Sequence, residues 1–189
     1  MNLHCFRALA VAGLMVGPSM VYAGGAEIVY YDIVGDSAKE LRHQIDTNGP
    51  LGEDGMRVDG HTDWHVAWTY QYAPAPGSCK FTELGITLTA TIILPRWTAG
   101  DETSSALVKK WQSYIAALRV HEDGHYSHGI RAAEEIKSLG QSLGTSDDCS
   151  TMAKRFDDQA ASILEKYRVA DVAYDADTKH GRTQGATFP

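Results

Sequence analysis

Positive charge is what this 189-residue chain most clearly lacks. Seventeen lysines and arginines stand against 24 aspartates and glutamates, a net charge of −7. No stretch gathers the basic residues into a stripe, which argues against a surface for nucleic acid or anionic lipid. Cysteine is scarce too, with Cys5, Cys79 and Cys149 the only three. Internal repeats and low-complexity tracts are absent. After residue 23 no segment has the length and apolarity of a membrane span.

The one long apolar run stands at the start. MNLHCFRALAVAGLMVGPSMVYA carries a single basic residue, Arg7, then an apolar stretch from Ala8 that is broken at Gly17–Pro18 and ends in Val-Tyr-Ala. That is the layout of a secretory signal peptide cleaved after Ala23. The break keeps it short of the ~20 apolar residues that an anchor needs. The expectation is therefore a leader over residues 1–23, one domain over 24–189, a periplasmic or secreted location, and no membrane span in the mature chain. Cys5 leaves with the leader. Cys79 and Cys149 then meet an oxidising compartment and are expected to form a disulfide. In the chain-entropy model, closing so long a loop is worth about 4 kcal/mol.

Hydrophobic patterning divides the rest. EIVYYDIV (27–34) is a β-branched and aromatic run, the signature of a strand. Ser37 and Glu40 form a capping box for a short helix. NGPLGEDG (48–55) is loop. TDWHVAWTYQY (62–72) alternates, with Trp64, Val66, Trp68, Tyr70 and Tyr72 on one face, and reads as a half-buried strand. Its aromatic stripe suits core packing, with a stacking platform for a sugar as the rarer use. KFTELGITLTATIIL (80–94) is a second long strand, expected to pair with the first as a hairpin and to stop at LPRW, where Pro95 has no N–H to give a ladder. From about residue 103 to 143 apolar residues recur at three and four, a single long helix. Ser146–Asp148 caps another helix, with Met152, Phe156, Ile163, Leu164 and Tyr167 on its buried side. After Val172 the tail YDADTKHGRTQGATFP shows no hydrophobic period.

The chemistry concentrates in VHEDGHYSHG (120–129). His121 and His125 lie four apart within the long helical pattern, so their side chains stack on one face a turn apart. Two neutral imidazoles so placed can share one metal ion, and zinc suits them. Glu122 is rotated by ~100° from His121 and flanks that ion, where it can act as general base on a water molecule. Two histidines and a glutamate facing a core also need a partner, because unpaired buried polar groups are costly. Gly124 costs roughly 1 kcal/mol inside a helix and marks either simple tolerance or a close approach by another backbone segment or by substrate.

A catalytic zinc wants three protein ligands and an open position. His128 lies about 10.5 Å along the axis from His121 and cannot share the ion on an unbroken helix; a surface or supporting role fits it better. Glu134 and Glu135 are too far along the same helix, whereas Glu165 on the next one remains open. The tail offers more. His180 is the favoured third ligand, with Asp175 or Asp177 as an alternative ligand or as an orienting carboxylate. Tyr174 is a candidate donor to an oxyanion.

Taken together, YYDIVGDSAKELRHQI, TDWHVAWTYQY, the LPRW stop, WQSYIAALRVHEDGHYSHG and YDADTKHGRTQGATFP resemble a bacterial family of predicted secreted zinc-dependent proteases, domain of unknown function 922. The resemblance covers nearly all of residues 24–189. It implies a zincin-like, exported bacterial protein and treats the tail as part of the fold, which raises His180 as a ligand. The expected architecture is α+β: a small antiparallel sheet packed on a long metal-binding helix plus a second helix. The expected activity is zinc-dependent peptide hydrolysis on a peptide or protein substrate. The main alternative is a non-enzymatic envelope protein whose zinc site is structural or vestigial.

Overall fold

The computed structural model describes residues 19–22, 25–52, 55–75, 78–145 and 148–188. Along the chain these form β1 (Ser19–Tyr22), β2 (Glu27–Ile33), α1 (Ala38–Asn48), β3 (His61–Ala75), β4 (Ser78–Trp97), α2 (Ser105–Ser142), α3 (Cys149–Thr178) and a 3-10 turn, Arg182–Gln184. The architecture is α+β.

The two alternating segments pair as their patterns require. β3 and β4 form an antiparallel hairpin from Ala75↔Ser78 to His61↔Ile93, with a bulge between Gln71 and Tyr72. β4 is the central strand, with β3 on one edge and β2 on the other. The expected all-antiparallel sheet is not what forms: β2 runs parallel to β4, Glu27↔Thr91 to Ile33↔Trp97. Side-chain alternation fixes which face a strand buries but not the direction in which it runs. β4 also passes through the expected stop at Pro95 and continues to Trp97. β3 has ended opposite Ile93, so at Pro95 the ladder is one-sided, and there a residue without an N–H is tolerated. The segment read as a leader lies outside the described residues except for Ser19–Tyr22, which pairs parallel with Gly85–Leu88; cleavage after Ala23 would remove this strand.

The aromatic face of β3 turns inward as far as Tyr70, while Tyr72, just past the bulge, is exposed. Val66 is buried, and Trp64, Trp68 and Tyr70 pack against it together with Leu84, Ile86, Ala132, Ile136, Phe156 and Ala160. Their polar tips hold α3 in place. Trp68 Nε1 donates to Asp157 Oδ1 at 2.9 Å and the Tyr70 hydroxyl to Asp157 Oδ2 at 2.9 Å. A second cluster joins Leu41 and Ile45 of α1 to Ile92, Leu94, Trp111, Tyr114 and Phe188. Cys79 and Cys149 form the expected disulfide, Cα–Cα 5.1 Å, which ties the start of β4 to the first residue of α3. Asp148 caps that end, its Oδ2 accepting from the Thr151 N–H at 2.7 Å.

Two features of the C-terminal part depart from the sequence reading. α3 does not fade after Val172 but continues to Thr178. The remaining residues, read as an aperiodic tail, fold back so that Ala186 and Phe188 are buried, with the Phe188 ring 5.5 Å from Trp111 and 5.0 Å from Tyr114. Among the described residues no helix is long and apolar enough to cross a membrane.

Candidate metal centre

α2 brings its three motif residues to the inward face, where His121 and Glu122 are each 3% exposed and His125 9%. α3 faces them with Asp171, Tyr174, Asp175 and Thr178, spaced at three, four and seven and therefore on one side of the helix. His121 Nε2 and His125 Nε2 each lie 3.1 Å from the same atom, Asp175 Oδ1. The opposite ring nitrogens are held as well. His125 Nδ1 is 2.9 Å from Asp171 Oδ1, and His121 Nδ1 is 3.1 Å from Gln184 Oε1.

This donor set fits a divalent ion. The ligand atoms of His121, His125 and Asp175 all lie within 4.8 Å of one another. With an acceptor behind each Nδ1, an imidazole that gives up its Nε2 proton to an ion keeps the one on Nδ1 and turns the Nε2 lone pair inward, the usual arrangement behind a metal-binding imidazole. Two imidazoles and a carboxylate are ligands that zinc accepts, and three protein ligands leave a position open.

Asp171 is the hub behind the site. Its Oδ1 also takes His128 Nδ1 at 2.6 Å and its Oδ2 accepts from Trp64 Nε1 at 2.6 Å. His128 thus supports the centre through Asp171 and forms a second grouping with Asp171 and His125. Burial opposes a charge on His125, but Asp171 and Asp175 together carry its pKa up to about 10. Both carboxyls are held below the ordinary aspartate value despite burial: Asp171 by His125, His128 and Trp64, Asp175 by His121 and His125.

Glu122 sits on the other flank. Burial raises its pKa, against the opposing hydrogen bond from Thr62. Thr62 Oγ1 lies 2.7 Å from Glu122 Oε2 and 3.1 Å from the Glu122 carbonyl. Gly60 makes the seat possible, since a Cβ there would lie 2.7 Å from Glu122 Oε1. The segment is anchored just upstream, where Arg42 grips both Asp59 oxygens at 2.6 and 2.8 Å and the Tyr114 hydroxyl adds a bond to Oδ2 at 2.8 Å.

Tyr174 flanks the histidines. Its ring stacks on His121 at 13° with centroids 5.1 Å apart, and lies 5.0 Å from the His125 ring. Gln184 Nε2 donates to its hydroxyl at 2.9 Å. The hydroxyl rests on α2 at Gly124, where any Cβ would overlap it. Close approach by the Tyr174 side chain, and not by a backbone segment, is therefore the reason for that mid-helix glycine.

His180 stands at the rim. Its side chain is 70% exposed and Nδ1 is 3.4 Å from Asp175 Oδ1, so the structure brings it beside the group of three but not into it. Glu165 and Asp177 are exposed on α3 and also outside the group. The residue joining the two histidines is Asp175. Sequence reasoning missed Asp171, Gln184 and Thr62. The signal for Asp171 was present as the spacing of Asp171, Tyr174, Asp175 and Thr178, a helical stripe written in polar residues.

A family model described as "Bacterial protein of unknown function (DUF922)" matches residues 28–181, and the chain belongs to that family. No curated protein and no solved structure matches it.

Proposed function

We propose that this family member is an exported, zincin-like zinc metallopeptidase. The observation that carries the reading is the convergence of His121 Nε2 and His125 Nε2 on Asp175 Oδ1, 3.1 Å each, with Glu122 buried beside them. His121, His125 and Asp175 would hold the ion. A bound zinc supplies Lewis acidity, lowering the pKa of water and polarising a carbonyl. Glu122 takes the proton of the attacking water and passes it to the leaving amine. Thr62 holds its Oε2, and a pKa raised by burial suits a group that must both accept and return a proton. Tyr174 donates to the oxyanion of the tetrahedral intermediate. The disulfide between Cys79 and Cys149 supports an extracytoplasmic location.

The test is hydrolysis of casein and of quenched-fluorescent peptides by zinc-loaded protein. Glu122→Gln should keep its zinc and lose at least about 100-fold in rate, the scale of a general base. Equal rates for the two proteins would refute the peptidase reading. A second reading, a non-enzymatic envelope protein with a structural ion, is favoured by the nearness of His180 Nδ1 to Asp175 Oδ1, 3.4 Å, which could close a four-ligand shell. His180→Ala separates the two: it spares hydrolysis in the first reading and loosens the ion in the second.

A further inference from the structure

Gln184 belongs to neither the helical motif nor α3, yet its carboxamide touches both sides of the centre. Oε1 lies 3.1 Å from His121 Nδ1, and Nε2 lies 2.9 Å from the Tyr174 hydroxyl. The turn that carries it is fixed at both ends. Before it come Lys179 and His180, both at positive φ (52° and 54°), a conformation that ordinary residues adopt only where the surrounding structure imposes it. After it, Ala186 and Phe188 are buried.

A carboxamide between these partners has two settings, and they differ in chemistry. In one, Oε1 accepts the His121 Nδ1 proton and the amide N–H donates to the Tyr174 oxygen. Nε2 of His121 is then free for a metal, and the tyrosine's own proton is free to be donated elsewhere. In the flipped setting the amide N–H points at His121 Nδ1, the imidazole proton must move to Nε2, and Tyr174 gives its proton to Gln184. Thr178 selects the first. Its Oγ1 donates to the Tyr174 carbonyl at 2.7 Å, so towards His121 Nδ1, 3.5 Å away, it can only accept.

We infer that Gln184 is a positioning residue that couples the metal-binding tautomer of His121 to the direction of the Tyr174 hydroxyl proton, so that a protein ready for metal also presents a hydrogen-bond donor to an anionic group at the site. The inference rests on the metal reading above. It requires no knowledge of the substrate.

Two binding measurements on the full protein test it: zinc affinity by chelator competition, and binding of acetohydroxamate to the zinc-loaded protein by calorimetry. Gln184 is exposed, so its variants should fold. Gln184→Ala should weaken zinc about tenfold, the scale of losing an orienting partner. Gln184→Glu still accepts from His121, so it should hold zinc within about threefold of wild type. A carboxylate, however, takes the Tyr174 proton for itself, so hydroxamate should bind about tenfold more weakly, as weakly as to Tyr174→Phe. The double variant should be no weaker than either single one. Wild-type hydroxamate affinity in Gln184→Glu, additive losses, or unchanged zinc affinity in Gln184→Ala would overturn the inference. A wild-type protein that takes up no zinc overturns the metal reading itself, and the inference with it.

Discussion

Asp171 holds His125 from behind: its Oδ1 lies 2.9 Å from His125 Nδ1, while His125 Nε2 lies 3.1 Å from Asp175 Oδ1. One imidazole therefore spans one turn of α3, with Asp171 on one nitrogen and, on the other, Asp175, which would share the ion. Asp171→Asn should weaken zinc binding between about 10- and 100-fold, the usual cost of losing such an orienting partner. Chelator competition measures it, and an unchanged dissociation constant would show that Asp171 does not orient the ligand.

The same arrangement predicts opposite pH dependences with and without metal. The pKa of His125 rises to about 10 in the fold, chiefly through Asp171 and Asp175 acting against burial. A raised histidine pKa stabilises the metal-free protein fully below its unfolded value of about 6.5, and that contribution is lost as pH climbs through about 10. Zinc must displace the same proton, so stabilisation by zinc grows over the same window. Thermal unfolding in EDTA and in zinc between about pH 6 and 10 should show the two curves separating, and His125→Gln should remove the EDTA slope. An EDTA melting temperature that rises with pH in this range contradicts the assignment.

Gly124→Ala should destabilise the protein although alanine favours helices. The added methyl would overlap the Tyr174 hydroxyl, and such overpacking costs about 1–3 kcal/mol. Chemical denaturation measures the loss. The penalty should shrink in a Tyr174→Ala background, which removes the ring atoms as well as the hydroxyl that the methyl would overlap. A stabilised Gly124→Ala protein would mean that Tyr174 does not rest on the helix.

Reduction of Cys79–Cys149 should cost about 4 kcal/mol in urea unfolding. It should also weaken metal binding, because the bridge anchors α3, the helix that carries Asp171 and Asp175. Full zinc affinity in a Cys79→Ser, Cys149→Ser protein would show that α3 keeps its place without the bridge.

Much of this was legible in the sequence, for physical reasons that can be named. The β3–β4 hairpin and α2 were visible because burial writes a period of two or of 3.6 in apolar residues. His121, Glu122 and His125 were visible because they interrupt such a stripe with metal-binding chemistry. The direction of β2 was not, since alternation carries no polarity. The last turns of α3 were missed because Asp171, Tyr174, Asp175 and Thr178 repeat as a helix does but in polar letters, which a hydrophobic period does not register. Gln184 left no local signal at all: its role arises only when Ala186 and Phe188 fold back onto Trp111 and Tyr114.

The most direct test of the metal centre is zinc content by mass spectrometry of the wild type, Asp175→Ala and His180→Ala, each purified without added chelator. The account predicts about one zinc per chain in wild type, a comparable amount in His180→Ala, and loss of most of it in Asp175→Ala. A metal-free wild type, or full zinc in Asp175→Ala with loss in His180→Ala, would contradict it.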